Sequence, residues 1–553
     1  MEIDDKIKSA LEYTKENEFD KAAKIYLNIL KDDPENGIVL SFIGLLYYNQ
    51  KKYKKSENYF VKAYKIPACR KIVASYLGIV KYIFLEYENA TKYLEEGLAS
   101  DTSIKVYRAL LSSCLNVKDY SKAYQHAITA HKIYPLDEEI LKYLATASIN
   151  YGRFEEGELY SRRLLQLNPK SAKAWYNLGL LEELITQDHK KAREYFKEIV
   201  KCGDKQFGYT NLYLSYNKES KNKKKAAYYF NKLKKMNNGV LQDNFTQANY
   251  YLTKKQFKKG YLYYINPTFY SKDDYDWRTK FKNRWVGGEY PNETILIFGD
   301  QGIGDQIMFS RYLKFMNKYF KNIKVMVHKS LIKIMRENFE NIKFYPAKKN
   351  LPHYSKSVMM SALIYFLGKN FGNIPDKKGY LKPTQLKISH YKTTYFNNDK
   401  LKVGICWEAG ATNLRDMIHR SLKVEFFEDI INKEYLECYS LQVNPTNDTH
   451  KQYSNLIDIG QTFNDFNDTA AALKNLDYFI TVDTSIAHMA GALGVKTLLL
   501  LPHSSDWRWF ENTETTEWYD SLKIFRQKDC TNWKEVFDRL SEFLDDSILT
   551  STH

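Results

Sequence analysis

Four stretches in the C-terminal half of this chain place chemically useful residues just after short apolar runs. The first is Gly299-Asp300-Gln301-Gly302-Ile303-Gly304-Asp305, which leads into an amphipathic segment. Glycines allow tight turns and close backbone approach, and a helix N-terminus offers free N–H groups at a positive dipole end. Asp305 at that edge is either a helix cap or a reactive carboxylate. The second is Val482-Asp483-Thr484-Ser485-Ile486-Ala487-His488. Thr484 and Ser485 bring hydroxyls and N–H groups to a place where a diphosphate would sit. His488 falls about one turn into the following helix, where it serves either that site or the packing.

The third stretch is Trp407-Glu408-Ala409-Gly410, followed by Asp416 and Arg420-Ser421. A guanidinium matches phosphate oxygens bidentately, so Arg420 either holds a phosphate or makes a surface salt bridge. The fourth is Pro502-His503-Ser504-Ser505-Asp506-Trp507-Arg508-Trp509. Its tryptophans either stack on a base or sugar, or plug an apolar gap.

The apolar runs that precede these stretches are short and rich in β-branched residues, as in Thr294–Phe298, Leu401–Trp407 and Tyr478–Val482. They read as buried strands. Helical segments alternate with them: Gln306–Phe320, Leu331–Phe339, Val424–Ile431, Ala470–Leu476 and Ile486–Leu493. Further strands fall at Ile323–Val327, Ile342–Tyr345, Cys438–Val443 and Thr497–Leu501. Such alternation predicts mostly parallel sheets covered by helices. A lysine-rich stretch over 382–400 reads as a linker, giving two Rossmann-like halves, 291–395 and 396–553, with a connecting segment over 261–290. Ligands bind at the carboxyl ends of strands in such sheets, where all four stretches fall.

The N-terminal half has another period. Pro135 and Pro169 are 34 residues apart, each closing a helical segment, and Pro34 closes an earlier one. Small and large residues recur, as in Trp175, Leu178-Gly179, Ala192 and Phe196, with weaker copies at Leu77-Gly78, Ala90 and Leu94, and at Ile43-Gly44, Phe60 and Ala63. An irregular helical bundle would not space its prolines this way. The pattern resembles the tetratricopeptide repeat, in about seven copies over residues 1–260. Small residues let antiparallel helices approach, and each unit buries its apolar face only by stacking on the next. Such arrays form curved surfaces that take proteins or peptides. The lysine runs Lys51–Lys55 and Lys223–Lys225 read as solvated helix ends.

Taken jointly, the C-terminal segments resemble glycosyltransferase family 9, the heptosyltransferase-like enzymes. The matching stretches are Asp300–Leu313, Val403–Trp407, Arg420–Leu422, Asp465–Ala470, Leu476–Gly494, Asp506–Trp509 and Phe525–Gln527, with Asp276–Thr279 and Trp285–Glu289 before them. The resemblance implies a GT-B fold of two Rossmann-like halves, the first on the acceptor side and the second on the nucleotide-sugar side. It implies a nucleotide sugar as co-substrate, with no metal and no other cofactor. By position, Asp305 is the general base toward the acceptor hydroxyl, Arg420 neutralises the leaving diphosphate, and His488 supports it. Gly302, Gly304, Trp407, Asp483, Thr484 and Ser485 form the donor-binding set. Two departures stand out. Asp300 replaces the glutamate common in the family, and Glu408-Ala409-Gly410 replaces a Gly-Asn-Pro-like turn.

The fused repeats point to a polypeptide acceptor, such as a flagellin or another surface-protein precursor; the alternatives are a lipid-linked or surface glycan acceptor, or an inactive repeat scaffold for protein partners. Composition narrows the classes further. With 44% hydrophobic and 27% charged residues, the chain is globular. Its 12 prolines and 24 glycines are few for 553 residues, which favours long helices. The formal charge of +17 is spread along the chain, and no nucleic-acid-binding motif accompanies it. No apolar stretch reaches membrane-spanning length, and Met1–Lys8 has no signal-peptide core. The six cysteines lie far apart without metal-site spacing, so they read as reduced thiols of a cytoplasmic protein.

Overall fold

A computed structural model describes residues 2–217, 219, 222–236, 244–264, 283–300, 302–347, 351–367, 374–410, 420–503, 505–511, 513–528 and 532–549. Gln301, Asp416, Ser504, Cys530 and the segment Asp276–Thr279 lie outside the described residues. By its contacts the chain divides into two units, with residues 2–208 in the first and the described residues from 209 onward in the second.

Helix pairs run from Glu2 to Tyr264, eight in all among the described residues, against the seven expected. Local chemistry explains their punctuation. The helices ending at Asp32, Ile133 and Leu167 stop two residues before Pro34, Pro135 and Pro169, which cannot continue them. Two residues beyond each proline sits a cap: Asn36 accepts from the N–H of Val39 (3.1 Å), Asp137 from Ile140 (2.9 Å) and Ser171 from Ala174 (3.4 Å). Within the pairs the turn is tight, and a residue with positive φ recurs every 33–35 positions at Asn17, Lys51, Leu85, Lys118, Gly152 and Gln187. At the first five, the next N–H returns to a carbonyl five residues back, as in Lys52 to Tyr47 (2.9 Å) and Glu86 to Lys81 (2.9 Å). That is a Schellman closure, built mostly without glycine. The small positions are matched to large partners. A Cβ on Gly44 would lie 2.5 Å from the Phe60 ring, and one on Gly179 would lie 2.4 Å from Phe196.

The second unit carries two parallel sheets. β1 (Thr294–Phe298), β2 (Asn322–Val327), β3 (Ile342–Pro346) and β4 (Lys356–Met359) pair in the order β3-β2-β1-β4. β5 (Leu401–Cys406), β6 (Leu436–Ser440), β7 (Leu456–Asp458), β8 (Tyr478–Val482), β9 (Thr497–Leu501) and β10 (Leu522–Arg526) pair in the order β10-β9-β8-β5-β6-β7. The chain direction across the first sheet reverses beside β1, and across the second beside β5 and β8. Loops leaving those strands are where open α/β sheets take ligands. One apolar core, including Ile295, Val325, Phe479 and Leu499, touches both sheets and the helices Ile303–Ser310 and Ser485–Leu493.

Several elements differ from expectation. The helix expected over Gln306–Phe320 spans Ile303–Ser310 and gives way to a tighter turn over Leu313–Lys318. Arg311 ends it: its Nε takes the carbonyl of Met308 (2.9 Å), and its Nη1 takes that of Trp518 (2.9 Å). The stretch expected as linker holds a helix, Gln385–Tyr395, whose Lys387 pairs with Asp468 and whose Ile388 carbonyl accepts from Asn475 (3.1 Å). β4, β7, β10 and the closing helix Lys534–Leu549 were not anticipated. Among the described residues no helix is long and apolar enough to cross a membrane.

Candidate functional site

Two helices begin at strand ends and meet close to their starts. The first, Ile303–Ser310, follows β1 and is preceded by Gly302 in extended conformation. The second, Ser485–Leu493, follows β8 and is capped by Thr484, whose Oγ1 accepts from the N–H of Ala487 (3.3 Å). They touch at Gly304, where an added Cβ would lie 2.6 Å from Cδ2 of His488. A glycine is required there because the imidazole occupies the space.

Asp305 stands in the first turn of its helix but makes no cap hydrogen bond there. Its partner is Arg508, whose Nε donates to Oδ1 at 2.7 Å and whose Nη2 donates to the same oxygen. Arg508 Nη1 also reaches Asp506 Oδ1 at 2.5 Å. Asp305 Oδ2 has no hydrogen-bond partner among the described residues and faces the Gly302 turn. Burial pushes the Asp305 carboxyl above the usual carboxylate range, against the opposing pull of Arg508.

Asp483 is buried at the end of β8, and Arg420 Nη1 lies 3.7 Å from its Oδ2. Burial raises the Asp483 carboxyl as well, with Arg420 opposing and Asp506 adding to the rise. Arg420 keeps a buried Nε that has no acceptor among the described residues. Arg420 therefore neighbours an acid, as the salt-bridge reading expects, but one held in the interior and not at the surface.

His488 is 3% exposed, stacks on Trp509 at 5.0 Å between ring centroids, and shares a 3.0 Å hydrogen bond through Nδ1 with Tyr519. Burial drives it well below its ordinary value, aided by the charges of Arg508, Arg311 and Arg420. The ring is neutral at physiological pH, so it acts by packing and hydrogen bonding, not as a cation. Trp507 and Trp509 are buried in the core, which is the plug reading of the fourth stretch.

Trp407 sits apart from this cluster. It is buried in a separate core group with Val403 and Val482, and its Nε1 donates to Glu408 (3.3 Å). Gln442 receives the N–H groups of Trp407 (3.2 Å) and Glu408 (2.9 Å), and Glu408 in turn accepts from Thr446 N (2.8 Å). The start of the departed loop after β5 is thus tied to the segment that follows β6. Asp300 is likewise occupied, with Oδ2 accepting from the N–H of Ser361 at 3.0 Å.

The structure therefore brings Gly302, Gly304, Asp305 and His488 together, and sets Asp483, Thr484, Ser485 and Arg420 at the end of β8. Sequence reasoning missed Arg508 and Asp506. They stood inside a recognised stretch, but its tryptophans drew the reading, and an arginine flanked by two aromatics gave no spacing signal. Tyr264 and Tyr519 carried no local signal at all.

Comparison with known proteins identifies the first unit. A family model described as Tetratricopeptide repeat matches residues 7–69 and 123–206. The N-terminal helices form a tetratricopeptide-repeat array. Protein FlbA of Caulobacter vibrioides is 20% identical over 48% of this chain and 48% of its own length, so this chain spans about half the relative. Among solved structures, YrrB, described as a TPR protein with an unusual peptide-binding site, aligns at 16% identity over 32% of this chain and 91% of its own, with a TM-score of 0.30. MamA AMB-1 aligns at 22% identity over 31% and 94% of the two chains, with a TM-score of 0.28. Pseudomonas aeruginosa pilF aligns at 19% identity over 37% and 93%, with a TM-score of 0.28.

Proposed function

We propose that the α/β part transfers a sugar from a nucleotide-sugar donor to an acceptor hydroxyl, and that the repeats recruit a protein carrying that hydroxyl. The observation that carries the reading is the asymmetry at Asp305: one oxygen anchored by Arg508, the other without a partner among the described residues. An anchored carboxylate with a free oxygen and a raised pKa is suited to accept a proton. Asp305 Oδ2 takes the proton of the acceptor hydroxyl as that oxygen bonds to the anomeric carbon. The bond from that carbon to the diphosphate breaks, and the electron pair leaves with the diphosphate. Arg420, whose Nε has no partner among the described residues, and the N–H groups at the start of Ser485–Leu493 stabilise that leaving charge. Asp483 accepts hydrogen bonds from donor hydroxyls. Trp407, enclosed in its own core group, is left out of this assignment. The resemblance of the C-terminal segments to glycosyltransferase family 9 supports the same chemistry.

The test is a thermal-shift panel of UDP-, GDP-, ADP-, dTDP- and CMP-sugars on the full chain and on Asp483→Ala. A ligand at about 100 times its dissociation constant stabilises by about 2.7 kcal/mol. A shift with one nucleotide class, lost in the variant, is expected. No shift with any of them would leave a repeat scaffold that binds partners without transfer.

A further inference from the structure

The last helix pair before the α/β segment, Asn244–Thr253 and Phe257–Tyr264, is built into the α/β core. Ala248, Leu252 and Tyr261 are fully buried in the same apolar cluster as Phe309 and Trp507. The rings of Tyr261 and Tyr264 meet Trp507 edge to face at 5.9 and 5.8 Å. Phe257 meets Phe510 at 5.8 Å, and the Lys255 ammonium lies 4.9 Å over the Phe510 ring while pairing with Glu517 at 3.0 Å.

The loop held this way is strained. Phe510 has φ 51° and ψ −177°, a region that a residue with a side chain adopts only when its surroundings enforce it. From the other side, Arg526 donates to the carbonyls of Trp509 (3.0 Å) and Phe510 (2.8 Å). Between these two grips lies Arg508. Its Nη2 donates to the Tyr264 hydroxyl at 3.3 Å and also to Asp305.

We propose that Tyr264 is a positioning residue: by fixing Arg508 it fixes the Asp305 carboxylate, so the helix pair is a working component of the site. The assignment rests on the reading of Asp305 as proton acceptor. The groups that face Asp305 are Arg508 and Asp506 on the loop, Arg420, His488 across Gly304, and Tyr261 on the helix pair. Arg508 opposes the effect of burial on Asp305. Loosening Arg508 removes that opposition, so Asp305 ionises at higher pH.

Carbodiimide and glycine ethyl ester labelling of the full chain, read by peptide mass spectrometry from about pH 4 to about pH 8, follows that ionisation directly. In Tyr264→Phe the Asp305 midpoint is expected to rise by about half a pH unit, and in Arg508→Gln by more. Because Tyr264 acts through Arg508, the double variant should match Arg508→Gln alone. Labelling of Asp20, on the repeats, should not change. An unmoved midpoint in Tyr264→Phe, or a double variant that shifts by the sum of the two, would overturn the proposal. The labelling needs no nucleotide. A shift without any donor binding would sink the transferase reading alone, and donor binding without a shift would sink the role of Tyr264 alone.

Discussion

At the scale of single residues, the site is a cluster of three acids and two arginines whose charges nearly balance. Asp305, Asp483 and Asp506 face Arg508 and Arg420 within a mostly buried environment. Removing one member of such a cluster strands the others. Arg508→Ala should lower stability by about 3 kcal/mol at neutral pH, because a buried acid is left uncompensated. The sign of its pH dependence follows. An acid whose folded pKa is raised favours the fold while protonated and loses that benefit as pH rises through the folded value. The variant should therefore regain stability as pH falls toward the carboxylate range, which chemical denaturation at several pH values would show; a loss that stays constant with pH would contradict it. Asp305→Asn should keep donor binding within about twofold while slowing transfer about 100-fold or more. Because burial raises Asp305, the acid limb of the transfer profile should lie above about pH 4, the ordinary carboxylate value. Asp305, Asp483 and His488 were legible because each follows a strand-and-turn pattern. Arg508 and Tyr264 were not, because Arg508 meets Asp305 across 203 residues of chain and Tyr264 across 244, separations that only folding closes.

At the scale of elements, the repeat array illustrates how one period is written by different chemistry. The prolines and the small–large pairs were visible in sequence. The left-handed turn residues were not, because lysine, leucine and glutamine stand where glycine would have announced them. That choice carries a cost that can be measured. Lys51 is exposed and has φ 57°, so Lys51→Gly should raise stability by about 1 kcal/mol, detectable as a higher melting temperature. A destabilised variant would mean that the lysine makes a contribution outside the turn. Conversely, Gly179→Val should destabilise by at least about 1–3 kcal/mol, since its side chain meets the Phe196 ring. Among the strands, those with continuous β-branched runs were legible. Lys356–Met359 and Leu456–Asp458 are four and three residues long, too short for any period to register. The Gln385–Tyr395 helix escaped because it buries chiefly Tyr391 and pairs its lysine with a distant aspartate.

At the scale of the whole molecule, the chain joins a tetratricopeptide-repeat array to a two-sheet α/β unit, and the seam falls earlier than the sequence pattern indicates. The helices from Lys223 to Tyr264 read as repeats, yet the last pair shares the core of the α/β unit, and ion pairs tie the helices to it, as in Lys223 with Glu511 (2.6 Å) and Lys255 with Glu517 (3.0 Å). A fragment beginning at residue 283 would expose the surface that Ala248, Leu252 and Tyr261 cover, and should be insoluble. One beginning at Lys205 keeps that cover and should melt cooperatively; the reverse result would contradict this account of the seam. Under the proposal above, this unit breaks a sugar–diphosphate bond with Asp305 as proton acceptor. The most direct measurement is release of free nucleoside diphosphate from whichever donor stabilises the protein, comparing the full chain with Asp305→Asn at equal donor occupancy. Release by the full chain is expected, accelerated by the acceptor protein and slowed about 100-fold in the variant. No release with any bound donor, or equal release by both proteins, would contradict it.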